Sequence, residues 1–252
     1  MPNNNLQHRI VSAGLIEDMN SPEADAIIRL QTNIEFASVE SKIKCYAITS
    51  AQEAEGKTTL TCNLAKIYAE KGLKVCLIDL DLRQPVIHKL FHIDNKIGIV
   101  EYVKGDVENV NDIIKHVDNI DIITTGSHTP FPGKIIGSEK MKNLIKELKE
   151  KYDYVLIDTP PVLVVTDAYL IGSDVDGFLV VCSQHVSYKA KVASAIKSLE
   201  DNKNINVLGI AMTMVTSDED NGKGGYGYGY GYGYGYKYGY HNKNKAVKKD
   251  EE

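Results

Sequence analysis

The chain has only four cysteines in 252 residues, Cys45, Cys62, Cys76 and Cys182, and no two of them form a C-x-x-C pair. That spacing excludes a disulfide framework and a cysteine-based zinc site, and predicts buried small hydrophobes in a reducing compartment. A surplus of positive charge is also missing, since 29 Lys and Arg stand against 34 Asp and Glu for a formal net charge of -5. Such a chain has no general attraction for phosphate backbones, so nucleic acid is not expected as a partner. No apolar run approaches the ~18 residues of a membrane span. The opening residues, MPNNNLQHRIV, carry no basic stretch followed by an apolar core. These absences predict a cytoplasmic protein that any membrane attachment would reach through a partner.

What is present is a repeated theme of short apolar runs alternating with amphipathic stretches. Candidate strands rich in Val, Ile and Tyr are Ile43 to Thr49, Lys74 to Asp79, Ile120 to Thr124, Tyr154 to Asp158, Gly177 to Cys182 and Asn206 to Met214. Helical patterns lie at Lys57 to Lys71, Ser138 to Lys151 and Tyr188 to Asn202. Strands apolar on both sides and alternating with helices predict an α/β fold, a mostly parallel sheet flanked by helices on both faces. An N-terminal helix is expected where Ser21 can cap, Pro22 suits the first turn, and Ile27, Leu30 and Ile34 share a face. Residues 1–19 are expected to be flexible, 20–215 to form the folded domain, and 216–252 a disordered tail rich in Gly and Tyr.

In open α/β sheets, ligands sit beyond the carboxyl ends of the strands. After the first strand comes Ala51-Gln52-Glu53-Ala54-Glu55-Gly56-Lys57-Thr58-Thr59, which is G-x-x-x-x-G-K-[ST] with Ala51 in place of the first glycine. A strand before this loop and a helix after it make a phosphate-binding P-loop the reading, against a chance G-K-T-T opening a helix. Backbone N–H groups of Ala54 to Thr59 would face a polyphosphate at the positive end of the helix, and Lys57 would meet the outer phosphates. The Thr58 hydroxyl would bind Mg2+, while Thr59 would donate to the inner phosphate. Glu53 and Glu55 are expected to turn their side chains into solvent.

Carboxylates end two other strands. In Leu77-Ile78-Asp79-Leu80-Asp81-Leu82-Arg83, two acids spaced two apart on a strand would face one ligand about 7 Å apart. Close like charges call for a cation, and magnesium is the fitting one. Asp158 ends the run Leu156-Ile157-Asp158-Thr159-Pro160-Pro161, whose prolines stop the strand at the sheet edge. The bland alternative for any single aspartate is a cap or turn former. Arg83 either neutralises phosphate charge or pairs with a carboxylate.

These motifs together resemble the bacterial tyrosine kinases of capsular and exopolysaccharide export, in the stand-alone cytoplasmic form. Arg83-Gln84-Pro85 with His88, Phe91, Asn95 and Gly98, and Thr166-Asp167-Ala168, match as well, so the resemblance covers roughly residues 20 to 240. It implies a P-loop NTPase-like fold that transfers the γ-phosphoryl of ATP to tyrosine with Mg2+. Lys57 and Thr58 would hold phosphate and metal, and Asp79, Asp81 and Asp158 would arrange metal, water and acceptor, with Asp79 the preferred base. It further implies a separate transmembrane activator that recruits the chain to the inner face of the membrane, assembly into a ring, and a cognate tyrosine phosphatase.

The chain departs from that pattern in several places. Ala54 stands where a glycine is usual, and a positive φ there would cost on the order of 1 kcal/mol. The interface pattern E-x-x-R-x-x-R is here Asp25, Ile28 and Gln31, without either arginine. Thr213 replaces an asparagine expected near the base, and Lys134 a glutamate.

The tail carries Tyr226, Tyr228, Tyr230, Tyr232, Tyr234, Tyr236, Tyr238 and Tyr240 at alternate positions. The resemblance implies that these are the self-phosphorylated acceptors; by composition alone they would read as an adhesive low-complexity segment. Full modification would add roughly -12 to -16 charges. The rival readings are a switch ATPase of the partitioning or division-site kind, against which Gln52 stands where those proteins carry a signature lysine, and a non-catalytic nucleotide-binding scaffold. His88, His92, His116, His128 and His185 lack metal-ligand spacing. Lys189 to Lys197 is expected to be a solvated helix face.

Overall fold

The computed structural model describes residues 14–215. The chain divides into one unit over Met1–Val215 and another over Thr216–Glu252. The first thirteen residues and the second unit, with all eight tail tyrosines, lie outside the described residues. The readings of a flexible start, a disordered tail and tail acceptors therefore fall largely on residues that are not described here. In the described part of the first stretch, residues 14–19, Ile16 is buried and its N–H donates to Asn63 Oδ1 at 2.7 Å.

Helix α1 (Pro22–Ser41) begins as the sequence predicts, with the Ser21 hydroxyl accepting the Ala24 N–H at 3.1 Å. Then come β1 (Cys45–Ser50), α2 (Lys57–Glu70), β2 (Val75–Asp79), α3 (Ile87–Leu90) and α4 (Ile99–Lys104). A 3-10 turn at Val110–Ile113 leads into β3 (Ile114–Val117) and β4 (Ile120–Ile123). The rest is α5 (Pro132–Ile136), α6 (Glu139–Lys151), β5 (Tyr154–Asp158), a 3-10 turn at Asp167–Ile171, β6 (Gly177–Ser183), α7 (Lys189–Glu200) and β7 (Val207–Thr213).

The seven strands form one sheet in the order β3-β4-β2-β5-β1-β6-β7. All neighbours are parallel except β3 and β4. Strand β3 was not expected from the sequence. It is a short edge strand, joined to β4 by Asp118 and Asn119 with φ of 47 and 63. Two consecutive positive φ values make the mirror-image turn whose twist matches a hairpin, and a two-residue loop can return only antiparallel.

Successive strand residues alternate between two cores, which is why the strands read as unbroken apolar runs. Cys45, Ala47, Cys76, Ile78, Val155 and Ile157 pack with Met141, Leu144, Ile145 and Leu148 of α6. Tyr46, Ile48, Val75, Leu77 and Leu156 pack with Leu60, Leu64 and Tyr68 of α2 and Ile34 of α1. Burial of each such Leu or Ile contributes about 1.5–3 kcal/mol, and Leu77→Ala would cost about 2–5 kcal/mol through the cavity left in the sheet. The four cysteines are free and buried, as their spacing predicts. Gln31 is fully buried, with Oε1 accepting from Nζ of Lys71 just after α2, so it packs within its own chain, whereas Asp25 is exposed.

This topology sets the site. Strands β1, β2 and β5 are adjacent, so the loop after β1 and the acids ending β2 and β5 emerge side by side at the carboxyl edge. Asp79 and Asp158 are register partners.

Candidate active site

The loop between β1 and α2 ends in Gly56, which has φ 85 and is the N-cap residue of α2. A Cβ there would lie 3.2 Å from Thr213 Oγ1, so glycine suits both the backbone and the contact. No side chain caps this helix. The first-turn amides thus remain available to an anion. Ala54 does adopt a left-handed conformation, φ 61, the strained case foreseen for this position.

Lys57 lies between two acids. Its ammonium is 3.2 Å from Asp81 Oδ2 and 3.5 Å from Asp158 Oδ2, and it donates to Thr58 Oγ1 at 3.2 Å. The Thr58 hydroxyl donates to Asp158 Oδ2 at 2.7 Å. Burial works against the charged Lys57, but Asp158 and then Asp81 outweigh it and its pKa is raised. Burial raises the Asp158 carboxyl, with Lys57 and Thr58 pulling the other way.

Asp79 and Asp81 do not sit together on the strand as expected, because β2 stops at Asp79. Their carboxylates face different ways as a result. Asp81 Oδ2 meets Lys57, whereas Asp79 Oδ2 accepts the N–H groups of Val86 and Ile87 at 3.2 and 3.1 Å. Asp79 also ties back to Asp81, accepting its N–H at 3.3 Å, and Asp81 Oδ1 accepts Gln84 N–H at 3.0 Å. The segment 82–87 is therefore folded around these two acids. Burial, then Asp158, pushes the Asp79 carboxyl up to about 8, although the Ile87 amide and Lys57 oppose this.

Arg83 takes the second of its two readings and pairs with a carboxylate. Its Nε and Nη2 donate to Asp167 Oδ2 and Oδ1 at 2.7 and 3.1 Å, a bidentate pair that fixes the guanidinium plane. The motif Thr166-Asp167-Ala168 stood out in the sequence, but the role of Asp167 as the partner 84 residues away did not.

Glu55 corrects an expectation. Glu53 is exposed as foreseen, but Glu55 is only 1% exposed. Its carboxylate accepts Gln52 N–H at 2.8 Å and the Ser187 hydroxyl, while its backbone oxygen accepts the Thr213 hydroxyl at 2.6 Å. Lys191, within the expected solvated face of α7, is exposed and also reaches the loop, donating to Gln52 Oε1. The loop is thus held from the β6–α7 connection and from the end of β7. Only chain reversal brings these groups within reach, and no local pattern announces them. Thr59 is half-buried in the first turn of α2. Lys134 lies over the ring of the exposed Phe131, 4.9 Å from its centroid.

Among the described residues, no group of three His, Cys, Asp or Glu side chains is placed to hold a metal by itself. Thr58 Oγ1, Asp81 Oδ2 and Asp158 Oδ2 do surround the Lys57 charge. Hard oxygens of this kind suit Mg2+ once phosphate and water complete its shell. The residues fit a nucleotide and its metal.

A family model described as an AAA domain matches residues 43–208. The chain is 36% identical over 209 residues to the tyrosine-protein kinase YwqD of Bacillus subtilis, covering 82% of this chain and 86% of that protein. It superposes on the solved kinase domain of the Escherichia coli tyrosine kinase ETK with a TM-score of 0.78 at 30% identity, covering 86% and 84% of the two chains. A more distant likeness, with a TM-score of 0.56 and 26% identity over 66% of this chain and 68% of the other, is to the septum site-determining protein MinD of Pyrococcus horikoshii, solved with Mg-ADP.

Proposed function

Because the chain belongs to the family of bacterial tyrosine-protein kinases, we propose that it transfers the γ-phosphoryl group of ATP to tyrosine. Its own tail tyrosines, Tyr226 to Tyr240, are the first acceptors, and its cellular role is in capsular or exopolysaccharide synthesis. The observation that carries this reading is Lys57 at the start of α2, clasped by Asp81 and Asp158 beside Thr58.

The polyphosphate would lie on the amides from Ala54 to Thr59. Lys57 would turn from the carboxylates to the outer phosphates, and this exchange would leave Thr58, Asp81 and Asp158 free for a cation. Mg2+, when bound, would offset the charge developing on the transferring group. Arg83, held flat by Asp167, would add a fixed positive charge at the rim. The tyrosine hydroxyl must lose its proton as its oxygen meets phosphorus. A carboxyl poised at about 8, such as Asp79, is matched to taking that proton near neutral pH.

The tail's alternating Gly and Tyr would let an extended backbone enter a shallow site. Transfer between copies in a ring, activation by a separate transmembrane partner and reversal by a tyrosine phosphatase belong to the same reading. Among the described residues no helix is long and apolar enough to cross a membrane.

The test is to incubate the purified chain, with and without the partner's cytoplasmic segment, with ATP labelled at the γ position. The expected result is label on tail tyrosines that disappears with a chelator. Phosphate release without labelled protein, in the presence of the partner segment, would refute the kinase assignment in favour of a switch ATPase.

A further inference from the structure

Beside the acids lies a cavity of about 520 Å3, and of its lining residues only Arg83 has a part in the phosphoryl transfer. Arg83 and Lys89 line one side and Ser127 and His128 the other, and among the described residues no Asp or Glu lines it. Carboxylate-free lining stands out in a chain with a formal net charge of -5. Arg83 shares Asp167, whereas Lys89 and His128 pair with no carboxylate among the described residues. Leu82, Pro85 and Val86 give the cavity an apolar side. The buried Nδ1 of His88, also in the wall, has no hydrogen-bond partner.

Both walls are fixed. Segment 82–87 is the one folded around Asp79 and Asp81, so cavity and acids share a partition. Opposite it, a Cβ on Gly98 would lie 2.2 Å from Thr124 O, and one on Gly126 1.9 Å from Glu101 Oε2. Asn95 Oδ1 accepts Gly126 N–H at 3.0 Å, and Glu101 accepts Ser127 N–H at 3.1 Å. The carboxylate beneath this wall is therefore already engaged by amides.

A cation-lined, acid-free cavity with an apolar side suits a phosphate ester on a flat hydrophobic body, which is the chemistry of an aryl phosphate. We propose that the cavity holds a phosphotyrosine already formed on an extended Gly-Tyr peptide, presented by a second copy of this chain, while the neighbouring tyrosine lies at the acids. This rests on the kinase reading above and adds an order to it, in which each modification recruits the next. In an extended peptide, residues two apart share a face about 7 Å apart, the period on which Tyr226 to Tyr240 are set. Each transfer breaks the bond from the γ-phosphorus to ADP and forms one to the phenolic oxygen, whose proton goes to the base. Apart from Arg83, the cavity residues take no part beyond holding the earlier product.

The experiment uses the full chain and four probes. Three are peptides of tail sequence with one position as tyrosine, phosphotyrosine or phosphoserine, and the fourth is inorganic phosphate. Binding is read by anisotropy without nucleotide, and labelling of the remaining tyrosines is read with ATP, Mg2+ and the partner's cytoplasmic segment. We expect the phosphotyrosine peptide to bind about tenfold more tightly than the unmodified one, and to be labelled with a higher kcat/KM. The phosphoserine peptide and inorganic phosphate should show no such gain. Lys89→Ala and His128→Ala should remove the preference while labelling of the unmodified peptide stays unchanged. Equal binding of modified and unmodified peptides, a gain that survives both variants, or displacement by phosphate alone at similar concentration overturns the proposal. Label on the unmodified peptide without a preference would leave the kinase reading standing and remove only the cavity's role. Preferential binding with no labelling of any peptide would keep the cavity and remove the kinase.

Discussion

Replacing Lys57 by Met tests the centre of the site through stability as well as through activity. The ammonium is nearly enclosed and neutralises Asp81 and Asp158, whose side chains are 7% and 1% exposed. Methionine preserves the length of the stem but leaves two buried carboxylates facing each other. Breaking a buried pair in this way costs about 3–5 kcal/mol unless the orphaned acid takes a proton. For a domain of this size that corresponds to a fall in Tm of roughly 6 to 20 °C. The sign with pH follows from linkage. Without Lys57 the Asp158 carboxyl, already raised by burial, loses the charge that pulls it down, so its contribution is kept below the unfolded value and lost as pH rises through the folded one. The variant should therefore unfold much more easily in urea at pH 7.5 than wild type, approach wild type near pH 5, and gain stability from millimolar Mg2+ at the higher pH. Tyrosine labelling should vanish at either pH. An unfolding midpoint matching wild type at pH 7.5, or a deficit equal at the two pH values, would refute the account of Lys57 as the counter-charge of these acids.

Three further outcomes follow from the same geometry. Ala54→Gly relieves a left-handed alanine at φ 61 and should stabilise the fold by up to about 1 kcal/mol. Urea denaturation would read the change, and nucleotide affinity should rise with it. Glu55→Gln keeps acceptor and donor atoms for Gln52 and Ser187 but removes a buried negative charge beside the phosphate loop. Fluorescent-nucleotide titration should show tighter binding than wild type, and Glu55→Ala should show weaker binding because the loop loses both anchors. With Asp79 as base and its carboxyl near 8, kcat/KM for a tyrosine peptide should climb as pH rises toward about 8. A profile flat from pH 6 to 9 would move the base elsewhere.

Much of this molecule could be read along the chain. Strands buried on both faces need apolar side chains at successive positions, so β1, β2, β4, β5, β6 and β7 lie within two residues of where their composition puts them. The phosphate loop was legible because it demands a particular local order, with glycine at the helix start, then lysine, then a hydroxyl. Asp79 and Asp158 were legible because a strand's last residue lands at the carboxyl edge whatever its neighbours are. Strand β3 escaped because a partly buried edge strand of four residues has little pattern to show, although Asp118-Asn119 was a turn signal.

The sequence by itself determined the fold class, the nucleotide-type loop and which acids stand at its edge, since each is a local consequence of side-chain order on a strand or helix. Tertiary structure alone decided that Asp79 turns under segment 82–87 while Asp81 faces Lys57, that Arg83 finds Asp167, and that Glu55 is drawn inward by Ser187. A side chain with several partners available settles on the one that packing brings within 3 Å or so and shields from water. For Asp81, Arg83 and Glu55 that partner lies 24, 84 and 132 residues away, where local sequence carries no signal.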